Sequence, residues 1–169
     1  MTIIHSFSPV ENRDAEALVL GSMPGKASLA AGQYYAHPKN HFWPIMGELF
    51  GASLTIPYEK RLIILKSSKI ALWDVLASCV RESSLDARIL KESEIVNDFE
   101  LFFSEHPNIS DLFFNGLKAE QIFLKKVKPL LKTREFACNL LPSTSPAHAA
   151  LSFEKKLKAW EALAQRVGR

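Results

Sequence analysis

The hydrophobic pattern changes period repeatedly along the chain, and those changes set out the elements. Ala17-Leu18-Val19-Leu20 is a short apolar run without alternation, as expected of a strand covered on both sides in a parallel sheet. Ile70 to Trp73, Ile109 to Phe114 and Glu135 to Leu140 read as three further strands. Between them, Phe42, Trp43, Ile45, Met46 and Leu49 predict a helix that Asn40 can cap, with Pro44 tolerated in the first turn and Gly51 closing it. Pro57 can open a second helix through Ile63, Ile64 and Leu65. Ile95 to Phe103 predicts a third, stopped near Pro107, and Leu117 to Val127 a fourth. Phe153, Leu157, Trp160, Ala164 and Val167 form the apolar stripe of a last one, with Trp160 packed on the sheet. Residues 26–39 have no clean period and predict a loop. Residues 80–92 are ambiguous, with a turn suggested at Ser83, Ser84 and Asp86.

Strands alternating with helices predict a three-layer α/β/α sandwich around a central, mostly parallel sheet of about four strands. Right-handed crossovers then bring the strand-end segments 21–25, 73–74, 115–116 and 141–148 to one edge. A length of 169 residues with 47% apolar content fits a single domain spanning 1–169, and 10% aromatic residues argue against disorder. Cys79 and Cys138 show no ligand or disulfide spacing, and Met1 to His5 lacks the layout of an export signal, so a cytoplasmic setting is expected. The apolar runs fall far short of the ~20 residues of a membrane span. Net charge is +3 but uneven. Lys118, Lys125, Lys126, Lys128, Lys132 and Arg134 cluster, followed by Lys155, Lys156, Lys158, Arg166 and Arg169, while 82–105 leans acidic. Such clustering suits a phosphate-binding face or a plain solvated one.

Several chemistries fail on residue type. The turn Gly21-Ser22-Met23-Pro24-Gly25 lacks the Lys-Ser/Thr of a triphosphate loop, is not GxGxxG, and is no GxSxG elbow. Five histidines show no close ligand pattern, so no metal is expected. What converges at the sheet edge is a set of amides, hydroxyls and rings, with Asp74 the only acid near a predicted strand end. That set suits a flipped base, read along its edge by hydrogen bonds and stacked on Tyr35 or Phe42. Fixed donors and a positioned water could then break an N-glycosidic bond without covalent attack.

Three words carry a more specific reading: Leu20 to Gly25, Gln33 to Trp43 with Pro44-Ile45-Met46, and Leu141 to Ala147. In them the chain resembles the uracil-DNA glycosylase superfamily, most closely its hypoxanthine- (deoxyinosine-) DNA glycosylase branch, across nearly its whole length. The resemblance implies an enzyme that excises a deaminated base from DNA, single- or double-stranded, and implies no metal or organic cofactor; a monomer is expected because one damaged site gives no geometric need for two copies. Hypoxanthine is the first candidate, with uracil and xanthine as alternatives, and the product is an abasic site. In the wider superfamily an Asp or Asn of the first loop directs the water, but Met23 stands there, and a thioether cannot orient a nucleophile. In the hypoxanthine branch that role falls on the Asn matching Asn40, for which a plain helix cap is the competing reading. Gly21, Ser22, Met23, Pro24, Gly25, Tyr35, His37, Phe42, Trp73, Asp74 and Asn115 are the candidates around the base, Trp73 and Asp74 because the resemblance makes their segment part of the pocket, and His37 with a plain exposed loop histidine as its alternative. Asp74 can accept from a base N–H, take a proton from water, or cap a turn; the Asn-Gly pair also explains Asn115 as a turn. The resemblance puts Leu141, Pro142, Ser143, Thr144, Ser145, Pro146, Ala147 and His148 against the DNA, with Ser143 and Ser145 on phosphates and Ala147 or Leu141 entering the vacated stack. The histidine that usually opens this loop is replaced by Leu141, and His148 is too far along to inherit its role. A non-hydrolytic protein that stacks a base and an N-glycosidase of free nucleosides or nucleotides are the alternatives.

Overall fold

The computed structural model describes residues 2–168. Its central sheet has four parallel strands: β2 (Ala17–Gly21), β3 (Ile70–Asp74), β6 (Asp111–Asn115) and β7 (Ala137–Leu141), in the spatial order β3-β2-β6-β7. Successive side chains on a strand point to opposite faces. Leu18, Leu20, Ala71, Leu112 and Phe114 therefore pack with α4 (Phe99–Glu105) and α5 (Leu117–Ile122). Ala17, Val19, Ile70, Leu72 and Phe113 pack with α2 (Phe42–Phe50), α3 (Tyr58–Ser67) and α6 (Phe153–Val167). The result is the three-layer arrangement expected, with Trp160 wholly buried on the second face.

The differences lie where apolar pattern is weak. Residues 26–39 contain a short helix, α1 (Lys26–Ala31), stopped by Gly32 at φ 65°; six residues with Leu29 as the one large apolar side chain are too few to display a period. A second sheet, β1 (Ile3–His5), β4 (Leu76–Val80) and β5 (Ile95–Val96), is antiparallel in the order β1-β4-β5. Ile95 and Val96 thus belong to a strand, and α4 starts only after Asp98, whose carboxylate accepts from the Leu101 N–H at 3.0 Å. Beyond Ile122 the backbone passes through a π turn, Phe123–Val127, rather than continuing as α-helix.

Much of the basic cluster is consumed internally. Lys118 and Lys126 both pair with Glu94, Arg166 pairs with Glu16 and Asp111, and Arg134 donates to the carbonyls of Phe103, His106, Pro107 and Ile109. Lys125, Lys128 and Lys132 stay exposed, Lys156 is buried in α6, and Arg169 lies outside the described residues. The cluster is therefore not one free cationic face. Among the described residues no helix is long and apolar enough to cross a membrane.

Candidate active site

At the carboxyl edge of the parallel sheet lies a cavity of about 380 Å³, within the range of small-ligand clefts. The turn 21–25 and the start of α1 form its floor, Tyr34, Tyr35, His37 and Asn40 one wall, and Asp74 and Asn115 the strand ends. Residues 84–87 and 143–148 form two lips.

Gly21 is required here by close approach. A Cβ at this position would stand 2.5 Å from Asp74 Oδ1 and 2.9 Å from the Tyr35 hydroxyl oxygen, so the two polar groups converge over a backbone that must lack a side chain. Asp74 Oδ2 and the Tyr35 hydroxyl are both buried without a protein partner. Leaving such groups unpaired costs about 1–3 kcal/mol each, which marks them as places for a ligand's polar atoms. Burial, reinforced by the negative charge of Asp86 and opposed by Arg81, raises the Asp74 carboxyl to about 7. Burial and then Asp74 likewise push the Tyr35 phenol upward. Tyr35 also holds φ at 54°, an uncommon backbone conformation for a residue with a side chain, and its ring lies 4.2 Å from that of Phe42. The preceding residue is anchored at three points. Tyr34 N–H donates to the Tyr58 hydroxyl, its own hydroxyl donates to the Ser8 carbonyl, and its carbonyl accepts from the Trp43 indole.

Asn40 is half-buried on the wall, and its Oδ1 accepts from the Phe42 N–H at 2.9 Å. The N-cap of α2 is His41, so Asn40 holds the helix entry from one residue before the cap, and this bond coexists with a place in the cavity. A carbonyl oxygen has a second lone pair, and the bond fixes the amide's orientation. Burial, with Lys156 nearby, lowers the pKa of the neighbouring His41.

Thr144 joins the late loop to two other elements. The side-chain amide of Asn115 donates to Thr144 Oγ1 and accepts from the Thr144 N–H, each at 2.9 Å, while the His41 N–H donates to the Thr144 carbonyl at 3.0 Å. Thr144 is only 1% exposed. The Pro142 carbonyl accepts from the Trp160 indole, and the Ser143 and Ser145 hydroxyls accept from the Ser145 and Ala147 N–H groups.

Of the residues expected around the base, Gly21 to Gly25, Tyr35, His37, Asn40, Asp74 and Asn115 meet at this cavity, as do Ser143 to His148. Phe42 stands behind Tyr35 in the core. Trp73 is directed away, packing on Phe99 and Phe102 and donating its indole N–H to the Phe7 carbonyl. Leu141 is 5% exposed, on the core face of β7, which removes it as a residue entering a base stack. Pro142 does not line the cavity. The amide of Asn115 makes two bonds to Thr144 and also acts against the upward push on the Tyr35 phenol, so its place at the strand end serves both the loop and the cavity. His37 is exposed, with Nδ1 accepting from the Lys39 N–H.

Sequence reasoning missed the lip after β4. Arg81 is buried and donates to the Pro24 carbonyl, and Ser84 Oγ accepts from the Lys26 N–H at 2.8 Å, so this segment braces the glycine turn. Burial raises the Asp86 carboxyl against the pull of the Ser22 hydroxyl, Arg81 and Lys118. The signal in the sequence was the turn suggested at Ser83, Ser84 and Asp86, in a stretch without period.

A parallel sheet whose strand ends carry a glycine turn, an unpartnered acid and a loop of small hydroxyl residues places this chain among α/β proteins that bind ligands at the carboxyl ends of their strands. The family model of the uracil DNA glycosylase superfamily matches residues 8–164, and the chain belongs to that superfamily, and so to the DNA glycosylases, hydrolases of N-glycosyl bonds in DNA. Two curated relatives are named hypoxanthine DNA glycosylase. That of Methanosarcina barkeri is 36% identical over 91% of this chain and 93% of its own length, and that of Methanosarcina acetivorans 36% identical over 95% and 98%. A protein of M. acetivorans solved by solution NMR as a candidate uracil DNA glycosylase superposes with a TM-score of 0.82 at 34% identity, covering 99% of this chain and all of that one.

Proposed function

We propose that this glycosylase releases hypoxanthine from DNA by hydrolysis, with a water held by Asn40. The observation that supports it best is the convergence on one cavity of Asn40 with two buried groups that lack partners, Asp74 and Tyr35. The substrate in the names of both curated relatives agrees with it.

A neutral carboxylic acid presents an O–H beside a C=O. Asp74 in that form pairs with the N–H and carbonyl edge of hypoxanthine through two parallel hydrogen bonds, and Tyr35 donates to the base from the same side. Uracil and xanthine share this edge and are the further substrates to try. The backbone N–H groups of the glycine turn and the dipoles fixed around it stabilise the charge that the leaving base acquires. The free lone pair of Asn40 Oδ1 accepts from a water aimed at C1′ while the sugar develops oxocarbenium character. Ser143, Ser145 and His148 hold the flanking phosphates of a single- or double-stranded substrate. On this reading the enzyme acts as a monomer in the cytoplasm, since one damaged site calls for no second copy.

A duplex with one deoxyinosine, incubated with the enzyme and then treated with alkali, tests the reading. Strand breakage at that nucleotide, with free hypoxanthine, is the expected result. Tight binding without base release would make the chain a non-hydrolytic binder, and cleavage of free deoxyinosine alone would make it a nucleosidase.

A further inference from the structure

We propose that Leu85 is the wedge that fills the duplex when a nucleotide is turned out, acting from the lip opposite the late loop. This assignment rests on the glycosylase reading above.

Extruding a nucleotide leaves a gap in the stack, which proteins that kink or open DNA commonly fill with an apolar side chain. The late loop has no large one to offer. Leu141 is fixed in the core, and from Ser143 to His148 the apolar members are Pro146 and Ala147. The opposite lip, residues 82–88, has the needed geometry. An antiparallel bridge between Arg81 and Ile89 closes it at its base, and both of those residues are buried. The Arg88 N–H donates to the Leu85 carbonyl at 2.9 Å and the Leu85 N–H to Ser83 Oγ at 3.2 Å, which tightens the tip. From this tip Asp86 faces Ser22 and Arg81, while Leu85 stands out, 47% exposed.

Isolated exposed leucines are ordinary. Ile63 and Leu101 are also exposed but lie away from the cavity; among the described residues Leu85 is the large, exposed apolar side chain on its lining. Arg88, exposed and without a carboxylate partner among the described residues, sits in the same turn, where a cation would meet a phosphate beside the inserted side chain. An apolar tip, a rigid base and an adjacent cation together fit a base stack better than a cavity wall.

The test compares kcat/KM for deoxyinosine in a stable duplex and in a single strand, for the native chain, Leu85→Ala and Leu85→Met. Leu85→Ala is expected to lower the duplex-to-single-strand ratio at least tenfold, and Leu85→Met, which keeps a large apolar side chain, to restore it. A 2-aminopurine placed opposite the lesion should brighten less on binding Leu85→Ala than on binding the native protein. An unchanged ratio, whether both rates fall together or neither falls, would overturn the wedge. A native chain that releases no base from either substrate would overturn the glycosylase reading and the wedge with it.

Discussion

Replacing Asp74 by Asn tests the electrostatics of the cavity, because the two side chains have nearly the same shape and differ in the ability to ionise. Burial raises the Asp74 carboxyl from an ordinary 3.8 to about 7, so the folded chain holds a proton there that the unfolded chain has lost. The stability linked to that proton is complete below about pH 4, declines as pH rises, and is gone above about pH 7. At about 1.4 kcal/mol per pKa unit, the ceiling is ~4 kcal/mol of destabilisation in the native protein above pH 8. The uncharged amide of the Asp74→Asn variant carries no such penalty. At about 2–4 °C per kcal/mol for a chain of this size, Asp74→Asn should raise Tm by several degrees at about pH 8.5 and little at about pH 4.5. Activity gives the second readout. If the neutral acid reads the base, native kcat/KM falls as pH passes through about 7, and Asp74→Asn, whose amide offers the same donor and acceptor pair, keeps activity and loses that limb. The reasoning is refuted if the Tm difference does not vary with pH. It is refuted equally if native activity rises through about pH 7 and Asp74→Asn abolishes it, since that is the behaviour of a general base.

Asn40→Ala should lower single-turnover excision by about 10²–10³-fold while leaving the Kd for deoxyinosine DNA within a few-fold; equal losses of rate and binding, or a collapsed Tm, would reduce Asn40 to holding the helix entry. Gly21→Ala should fold, as judged by circular dichroism, yet lose most excision, because the new Cβ meets Asp74 and Tyr35. Asn115→Ala removes both bonds to Thr144 and should cost about 1–3 kcal/mol in denaturant unfolding, with a fall in kcat/KM on DNA; full activity would show that the late loop holds itself.

Among the parallel strands, β2 and β3 were legible because Ala17 to Leu20 and Ile70 to Trp73 are buried on both faces, which removes polar residues from the run. The antiparallel sheet was not. Leu76 to Val80 follows β3 after a single residue, Val75, so two strands share one apolar stretch, and the two residues of β5 have no period of their own. The contributors to the cavity from the glycine turn and from Gln33 to Asn40 could be found through motif. Phe42 and Trp73 were misplaced because a sequence word gives an aromatic's position but not its side: one residue's step along α2 or β3 exchanges cavity for core. The turn at Ser83, Ser84 and Asp86 was legible, but its place on the cavity and the exposure of Leu85 were not, because the lip is held by bonds to distant backbone.

Thr144 bolts the late loop to the start of α2 and to the end of β6 at once. In the proposed mechanism, the loop that would hold the phosphates and the amide of Asn40 are therefore tied into one unit. Strain placed on the late loop would reach Asn40 as well, whereas the facing lip is held separately, by the bridge between Arg81 and Ile89.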